Sequence, residues 1–175
     1  MKKTLTMMLM LLIVVGFTNA QSKIKLSVGA NLALPMGNFG DIAGTGFGGS
    51  VMGEYPINNN LVGTATVGYI TWGTKDFGGS EWSFSAIPVL AGAKYYFDKG
   101  LYAHGQLGFH MFSSSVEIDF GPFFGGKQKV DDNSSDFTIG LGAGYEINNF
   151  DISAAYYIIS DANYFGVRAA YKFSL

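Results

Sequence analysis

The stretch that decides the fold is FGVRAAYKFSL, from Phe165 to Leu175. Every second residue is apolar, and the residues between them are small or charged. Strict alternation predicts a β-strand with one apolar and one polar face, because successive side chains of a strand point to opposite sides. The same pattern recurs upstream, so it predicts the architecture of most of the chain.

The N-terminal residues 1–20 have the pattern of a secretory signal peptide. A positive start with Lys2 and Lys3 is followed by an apolar run to Val15, and the segment closes on the small residue Ala20. The alternative is a membrane anchor, which needs about 18–20 apolar residues, more than this run offers. We therefore expect 1–20 to be a cleaved leader and 21–175 to be one exported domain.

The composition excludes several classes of protein. The chain has no cysteine, so disulfides, thiolate metal sites and lipoprotein acylation are excluded. Loss of Lys2 and Lys3 leaves nine basic against thirteen acidic residues, a net charge of −4 with no footprint for nucleic acid. Charged residues are 14% of the chain, below the roughly 25% of soluble domains. No apolar run after residue 20 is long enough for a transmembrane helix. A closed β-barrel is the membrane structure that remains.

Eight strands are predicted, and their connections alternate in length. The strands cover 24–34, 45–57, 61–72, 83–97, 101–113, 137–147, 150–159 and 164–175. Short turns join them at 58–60, 98–100 and 148–149, and longer connections lie at 35–44, 73–81 and 114–136, with 160–163 as a short exception. Short turns at one end and long loops at the other predict an up-and-down barrel with turns in the periplasm and loops outside.

An eight-stranded barrel can also be soluble, with its apolar face inward. The face opposite the apolar one is rich in glycine, as at Gly140 and Gly142, which makes a poor soluble exterior and fits a narrow lumen. Aromatic residues on the apolar face recur eight positions apart, as in Phe47 and Tyr55. That spacing covers roughly 20 Å along a tilted barrel, close to the apolar band of about 25 Å between aromatic girdles. The predicted girdle residues are Phe47, Tyr55, Tyr69, Tyr95, Phe97, Phe137, Tyr145, Phe165, Tyr171 and Phe173.

Charged residues on the other face gather in the periplasmic half of their strands. The predicted lumen charge network consists of Glu54, Lys94, His104, Glu146, Asp151, Arg168 and Lys172, with Lys25 beside it. The pairs we expect first are Glu54 with Arg168 and then Lys94 with Glu146. Eight strands leave a lumen just filled by side chains. A plug of paired charges is therefore favoured, and a narrow gated channel is the alternative.

The chain resembles the small eight-stranded outer-membrane barrels of the OmpA and OmpX type. The segment IPVLAGAKYYFDKGLYAHGQLGFHMF, Ile87 to Phe112, shows an apolar strand, an aromatic end, a tight turn and a glycine-alternating strand. The terminal YKFSL is similar to the sorting signal of such proteins, although it ends in Leu175 and not in an aromatic residue. The resemblance implies an outer-membrane location, lipid contacts, insertion by the barrel-assembly machinery through the C-terminal strand, and no cofactor.

Two further features bear on function. His110 and Ser113 do not have the His-x-Ser spacing of lipid deacylases on this fold, and His110 has inward parity, so a lipid-modifying enzyme is the least favoured reading. The loop 114–136 alternates at Val116 and Ile118, which predicts strands that continue beyond the membrane. Its candidate binding residues are Phe120, Phe123, Phe124, Lys127 and Lys129. The sequence thus predicts a non-enzymatic barrel with a structural role or with loops that bind an extracellular protein.

Overall fold

The computed structural model describes residues 24–74, 81–119 and 127–174. Eight strands and one short helix follow each other along the chain: β1 Lys25–Pro35, α1 Asn38–Ile42, β2 Ala43–Pro56, β3 Leu61–Thr74, β4 Glu81–Tyr96, β5 Leu101–Asp119, β6 Lys127–Ile147, β7 Phe150–Ile159 and β8 Tyr164–Ser174. None of the described helical residues forms a helix long and apolar enough to cross a membrane. The predicted number and order of strands are confirmed.

The strands close into one antiparallel up-and-down barrel. Each strand pairs with the next in sequence, and β8 pairs with β1 from Tyr164 opposite Pro35 to Ser174 opposite Lys25. Closure removes the free edges that an open sheet would expose within a lipid bilayer. We call the end that carries the tight turns 57–60, 97–100 and 148–149 the turn end, and the opposite end the loop end.

Two connections at the loop end contain more secondary structure than the predicted strand bounds include. The connection 35–44 contains α1 and the first residues of β2. The loop 114–136 is largely strand, because β5 and β6 continue to pair as far as Asp119 opposite Lys127. The two strands form backbone hydrogen bonds with each other there, so the β5–β6 pair continues past the end of β7. The expected continuation of strands past residue 113 is confirmed.

The apolar faces of the strands point outward and the polar faces point into the lumen. Phe47 and Phe97 expose 62% and 63% of their surface, whereas Lys94 and Asp151 on the other face expose 1% each. An apolar exterior around a charged interior is the arrangement of a membrane-spanning barrel and the reverse of a soluble one. The predicted choice of faces is therefore confirmed.

Inward-facing glycines of this barrel can lie too close to neighbouring backbone to carry a side chain. A Cβ atom on Gly142 in β6 would contact the Ala154 carbonyl oxygen and lie 2.7 Å from the Ala155 Cα atom. Outward glycines have more space, and a Cβ atom on Gly53 in β2 would meet only the Ala65 carbonyl oxygen, at 4.0 Å. The wall therefore has room for an added side chain at lipid-facing positions such as Gly53.

This difference predicts opposite effects of the same substitution. We expect Gly142→Ala to destabilise the barrel by about 1–3 kcal/mol, because the new methyl group overpacks against backbone. We expect Gly53→Ala to be neutral or stabilising by up to about 1 kcal/mol, because it restricts the unfolded chain without a clash. Urea unfolding of the refolded variants in detergent micelles measures both, and equal stabilities would contradict the packing described here.

Candidate functional site

A cluster of five charged side chains fills the lumen near the turn end. Lys94 Nζ lies 2.6 Å from Glu54 Oε1, 2.5 Å from Asp151 Oδ2 and 3.1 Å from Glu146 Oε1. Lys172 Nζ lies 2.6 Å from Glu54 Oε2 and 2.7 Å from Glu146 Oε1. We call Glu54, Lys94, Glu146, Asp151 and Lys172 the ion-pair cluster. Each carboxylate in it contacts at least one ammonium group.

Two tyrosines complete the hydrogen bonding of this cluster. The Tyr96 hydroxyl donates to Glu146 Oε1 and the Tyr102 hydroxyl donates to Asp151 Oδ1, each at 2.5 Å. The Tyr102 ring also lies 4.4 Å from Lys94 Nζ, within the range of a cation–π contact. Buried charges are tolerated where both Coulombic partners and hydrogen bonds are present, and the ion-pair cluster has both.

The three carboxylates are close enough to resemble a metal site. Oxygen atoms of Glu54, Glu146 and Asp151 lie within 4.8 Å of one another. Lys94 Nζ, however, lies within 3.1 Å of an oxygen atom from each of them. The ammonium group therefore occupies the place that a metal cation would take, and the cluster is best described as a lysine-centred network.

Arg168 and His104 are buried but lie outside the ion pairs. The predicted pair of Glu54 with Arg168 is wrong: Glu54 contacts the two lysines, and Arg168 donates from Nε to Ser50 Oγ and from Nη2 to Ser27 Oγ, each at 2.9 Å. Both carboxylate oxygens of Glu54 are already engaged by ammonium groups, which leaves Arg168 to bond hydroxyls. The second expected pair, Lys94 with Glu146, is present in the structure.

The environments of His104 and Lys25 also differ from the predicted network. The His104 ring makes an edge contact with Tyr102, at 5.8 Å between ring centres, and neither ring nitrogen has a hydrogen-bond partner within the described residues. Lys25 is exposed at the rim. Parity along a strand places a residue inside the lumen, whereas the stagger between strands decides which groups meet, and the sequence does not give that stagger.

The lumen near the loop end is filled by aromatic rings, which the sequence analysis did not identify. Trp72 exposes 1% of its surface and makes edge contacts with Phe39 of α1, at 5.5 Å, and with Tyr164, at 5.7 Å. Phe84 and Phe112 pack around them. We call Phe39, Trp72, Phe84, Phe112 and Tyr164 the aromatic plug. An aromatic residue within the glycine-rich connection 35–44 was the available indication that this segment folds inward.

His110 lies beside the aromatic plug and does not reach the lipid face. It is fully buried, its Nδ1 lies 2.8 Å from Thr138 Oγ1, and its Nε2 lies 2.9 Å from the Tyr164 hydroxyl. Both ring nitrogens are therefore engaged in structural hydrogen bonds. This is the arrangement of a packed histidine, as its inward parity suggested.

The predicted girdle residues all lie on the outer surface, and each exposes at least 37% of its area. By their register, Phe47, Tyr69, Phe137 and Phe165 lie toward the loop end and the other six toward the turn end. The structure adds Phe109, Phe150 and Tyr156, which are exposed on the same face. Phe109 contacts Phe137, and Phe150 contacts Tyr171, across neighbouring strands. The parity of the strands already indicated these positions, which the eight-residue spacing alone did not include.

The extension of β5 and β6 forms a protruding hairpin, which we define as residues 114–119 and 127–136. The pairing of β6 with β7 ends at Thr138 opposite Ile159, so no described strand pairs with residues 127–137 on that side. Of the predicted binding residues, Phe120, Phe123 and Phe124 lie outside the described residues. Lys127 and Lys129 are placed only by backbone pairing, opposite Asp119 and Glu117. The hairpin therefore offers an open strand edge.

Solved structures with the same architecture come from small outer-membrane barrels. Ail, the attachment invasion locus protein of Yersinia pestis, superposes with a TM-score of 0.63 and 17% identity over 87% of this chain and 99% of that chain. Neisserial surface protein A gives 0.54 and 18% identity over 87% and 97%. This chain has the fold of a small eight-stranded outer-membrane β-barrel. The expected OmpA and OmpX type of fold is confirmed.

A second structure of Ail, in complex with the heparin analogue sucrose octasulfate, gives a TM-score of 0.59 and 18% identity over 86% of this chain and 98% of that chain. No protein-family model and no curated protein sequence matches the chain. At these identities the likeness shows the fold, so the function must be argued from the residues of this barrel.

The ion-pair cluster predicts a large effect of removing its central cation. We expect Lys94→Met to destabilise the barrel by about 3–5 kcal/mol, because Asp151 remains buried without an ammonium partner and Glu54 and Glu146 keep only Lys172. Lys99→Met, in an exposed turn, is the matched control and should change stability by less than about 0.5 kcal/mol. Urea unfolding of both refolded variants tests this, and a Lys94 variant as stable as the control would contradict the role of the cluster.

Proposed function

We propose that this protein is a non-enzymatic outer-membrane barrel that binds an extracellular protein by strand addition to its protruding hairpin. The observation that carries the proposal is the edge of β6 at residues 127–137, which no described strand covers. Unpaired backbone N–H and C=O groups along such an edge are a template for another chain. Extended segments of partner proteins bind to sheet edges in this way.

The hairpin supports this function because it is paired along one side and, among the described residues, uncovered along the other. β6 pairs with β5 through every residue from Lys127 to Tyr145, and β4 in turn pairs with β5 as far as Glu81 opposite Glu117. The edge is thus presented by three strands that rise from the barrel wall. Ail, whose name describes attachment and invasion, shares this overall fold.

Filling of the lumen at two levels favours a binding role over a channel. The ion-pair cluster occupies the turn end, and the aromatic plug occupies the loop end. An ion would have to displace paired charges and then packed rings to cross. The burial of His110, away from lipid, likewise supports a protein without lipid-modifying activity.

Export through the leader 1–20 and recognition of the C-terminal strand by the barrel-assembly machinery remain parts of this proposal. Residues 1–23 and Leu175 lie outside the described residues. The pairing of β8 with β1 is the closing step that such machinery would complete.

Conductance in planar bilayers separates the binding protein from the channel. We expect the refolded protein and the Arg168→Ala variant to show no conductance, because Arg168 belongs to neither the ion-pair cluster nor the aromatic plug. We expect ion conductance only when the ion-pair cluster and the aromatic plug are both disrupted, as in a variant that combines Trp72→Ala with Lys94→Ala. Heat-modifiable migration on gels checks that each variant is folded. Regular current steps from the unmodified protein would contradict a sealed lumen.

The open edge itself is tested by proline substitution at two adjacent exposed positions, Ser134 and Ser135. Successive residues of a strand direct their backbone groups to opposite sides, so one of these amides faces β5 and the other faces the open edge. Proline is tolerated where the lost amide faces solvent. We expect the proline variant whose lost amide faces the open edge to keep its unfolding midpoint and to lose binding. The other variant loses a hydrogen bond to β5.

Binding is measured between cells that display the barrel and a panel of purified extracellular proteins on a surface. Exchange of residues 114–136 for a short turn should abolish the binding, and threonine at Ser134 and Ser135 is the matched control that should retain it. Binding that survives both prolines and the exchange would contradict strand addition.

A further inference from the structure

A small cavity lies inside the barrel between the ion-pair cluster and the aromatic plug. Its volume is about 40 Å³, and its wall includes Tyr164 of the plug on one side and His104 and Arg168 on the other. A volume of roughly 10–15 Å³ is enough to hold one water molecule. The cavity therefore has room for a group somewhat larger than a single water.

The only formal charge on the cavity wall, among the described residues, is that of Arg168. This residue is 7% exposed, and its Nη1 atom is buried without a hydrogen-bond partner. No carboxylate of the described residues lies within 4.0 Å of the guanidinium, and no Asp or Glu lines the cavity. Buried charges are normally paired, so this cation lacks the contact that its burial requires.

The other polar groups of the wall supply mainly donors. Gln106 accepts from the Tyr157 hydroxyl through Oε1 and donates one amide hydrogen to Thr66, which leaves the second hydrogen free to donate. Asn31 accepts from Ser50 through Oδ1 and retains its amide as a donor. His104 also lines the cavity and carries one ring N–H in either neutral tautomer.

We propose that this cavity is a binding site for a small monovalent anion, such as chloride. A cation without a carboxylate contact, beside free N–H donors in a small cavity, matches the needs of an anion in both charge and hydrogen bonding. A metal cation is excluded there by Arg168. A halide fits a cavity of this volume.

The site also has a defined place in the barrel. The three carboxylates of the ion-pair cluster are engaged by Lys94 and Lys172 at the turn end, so the anion pairs with the guanidinium that they do not contact. The ion-pair cluster and the aromatic plug lie on either side of the cavity, so the site forms only as the barrel folds. Binding therefore appears as a dependence of refolding and stability on the halide.

The experiment compares bromide with gluconate at equal ionic strength, with the protein refolded from urea into detergent micelles in each salt. We expect a higher urea midpoint in bromide, since a ligand bound only by the native state stabilises it. Crystals grown in bromide should show an anomalous peak within hydrogen-bonding distance of Arg168 Nη1.

Three variants make the result specific. Arg168→Met should lose the difference between the two salts, and Lys25→Met, which removes an exposed cation outside the cavity wall, should keep it. Ala155 is a small buried residue of the wall, so Ala155→Leu fills the cavity without removing a donor and should also lose the difference. This third variant retains the test if the arginine variant does not refold. Equal midpoints in both salts for the unmodified protein, or ordered water in place of the anomalous peak, would overturn the proposal.

Discussion

The ammonium group of Lys94 ties together four of the eight strands. It projects from β4 and contacts carboxylates from β2, β6 and β7. A membrane barrel turns its apolar faces toward lipid, so its interior cannot be stabilised by an apolar core along its whole length. The lumen of this protein must instead satisfy every charge that it buries, and the rest of the interior is arranged around that requirement.

The interior solves this requirement differently at its two ends. Near the turn end, two ammonium groups and three carboxylates are joined by tyrosine hydroxyls. Near the loop end, the chain returns into the lumen through α1, and Phe39 packs against Trp72 where β3 nears its end. Paired charges bind water poorly once their bonding is complete, and packed rings exclude it, so both layers close the lumen by different physical means.

The sequence was sufficient for the fold because parity is a local property. Alternation along each strand determined which residues face lipid, and this placed Phe47 outside and Asp151 inside. The partners of those residues depend on the stagger between strands, which no single strand encodes. Parity alone could not distinguish the two predicted pairs. The pair of Lys94 with Glu146 is present, whereas the pair of Glu54 with Arg168 is wrong. Phe39 of the aromatic plug was missed because it lies on a five-residue helix in a connection, where strand periodicity does not apply. Trp72 lies on β3, and its inward parity was a signal that the prediction did not use.

The contacts of the last strand, β8, depend both on the stagger between strands and on the closure of the barrel. Lys172 reaches Glu54 on β2 and Glu146 on β6, and Arg168 reaches Ser27 on β1 and Ser50 on β2. The contacts of Lys172 with Glu54 and of Arg168 with Ser27 and Ser50 cross the seam between β8 and β1, so they form only when those two strands have paired. Lys172 and Arg168 thus reach all their native partners only in the closed ring with the native stagger. An unclosed sheet, or one shifted in register, would bury the same charges without partners, and that penalty selects the closed barrel.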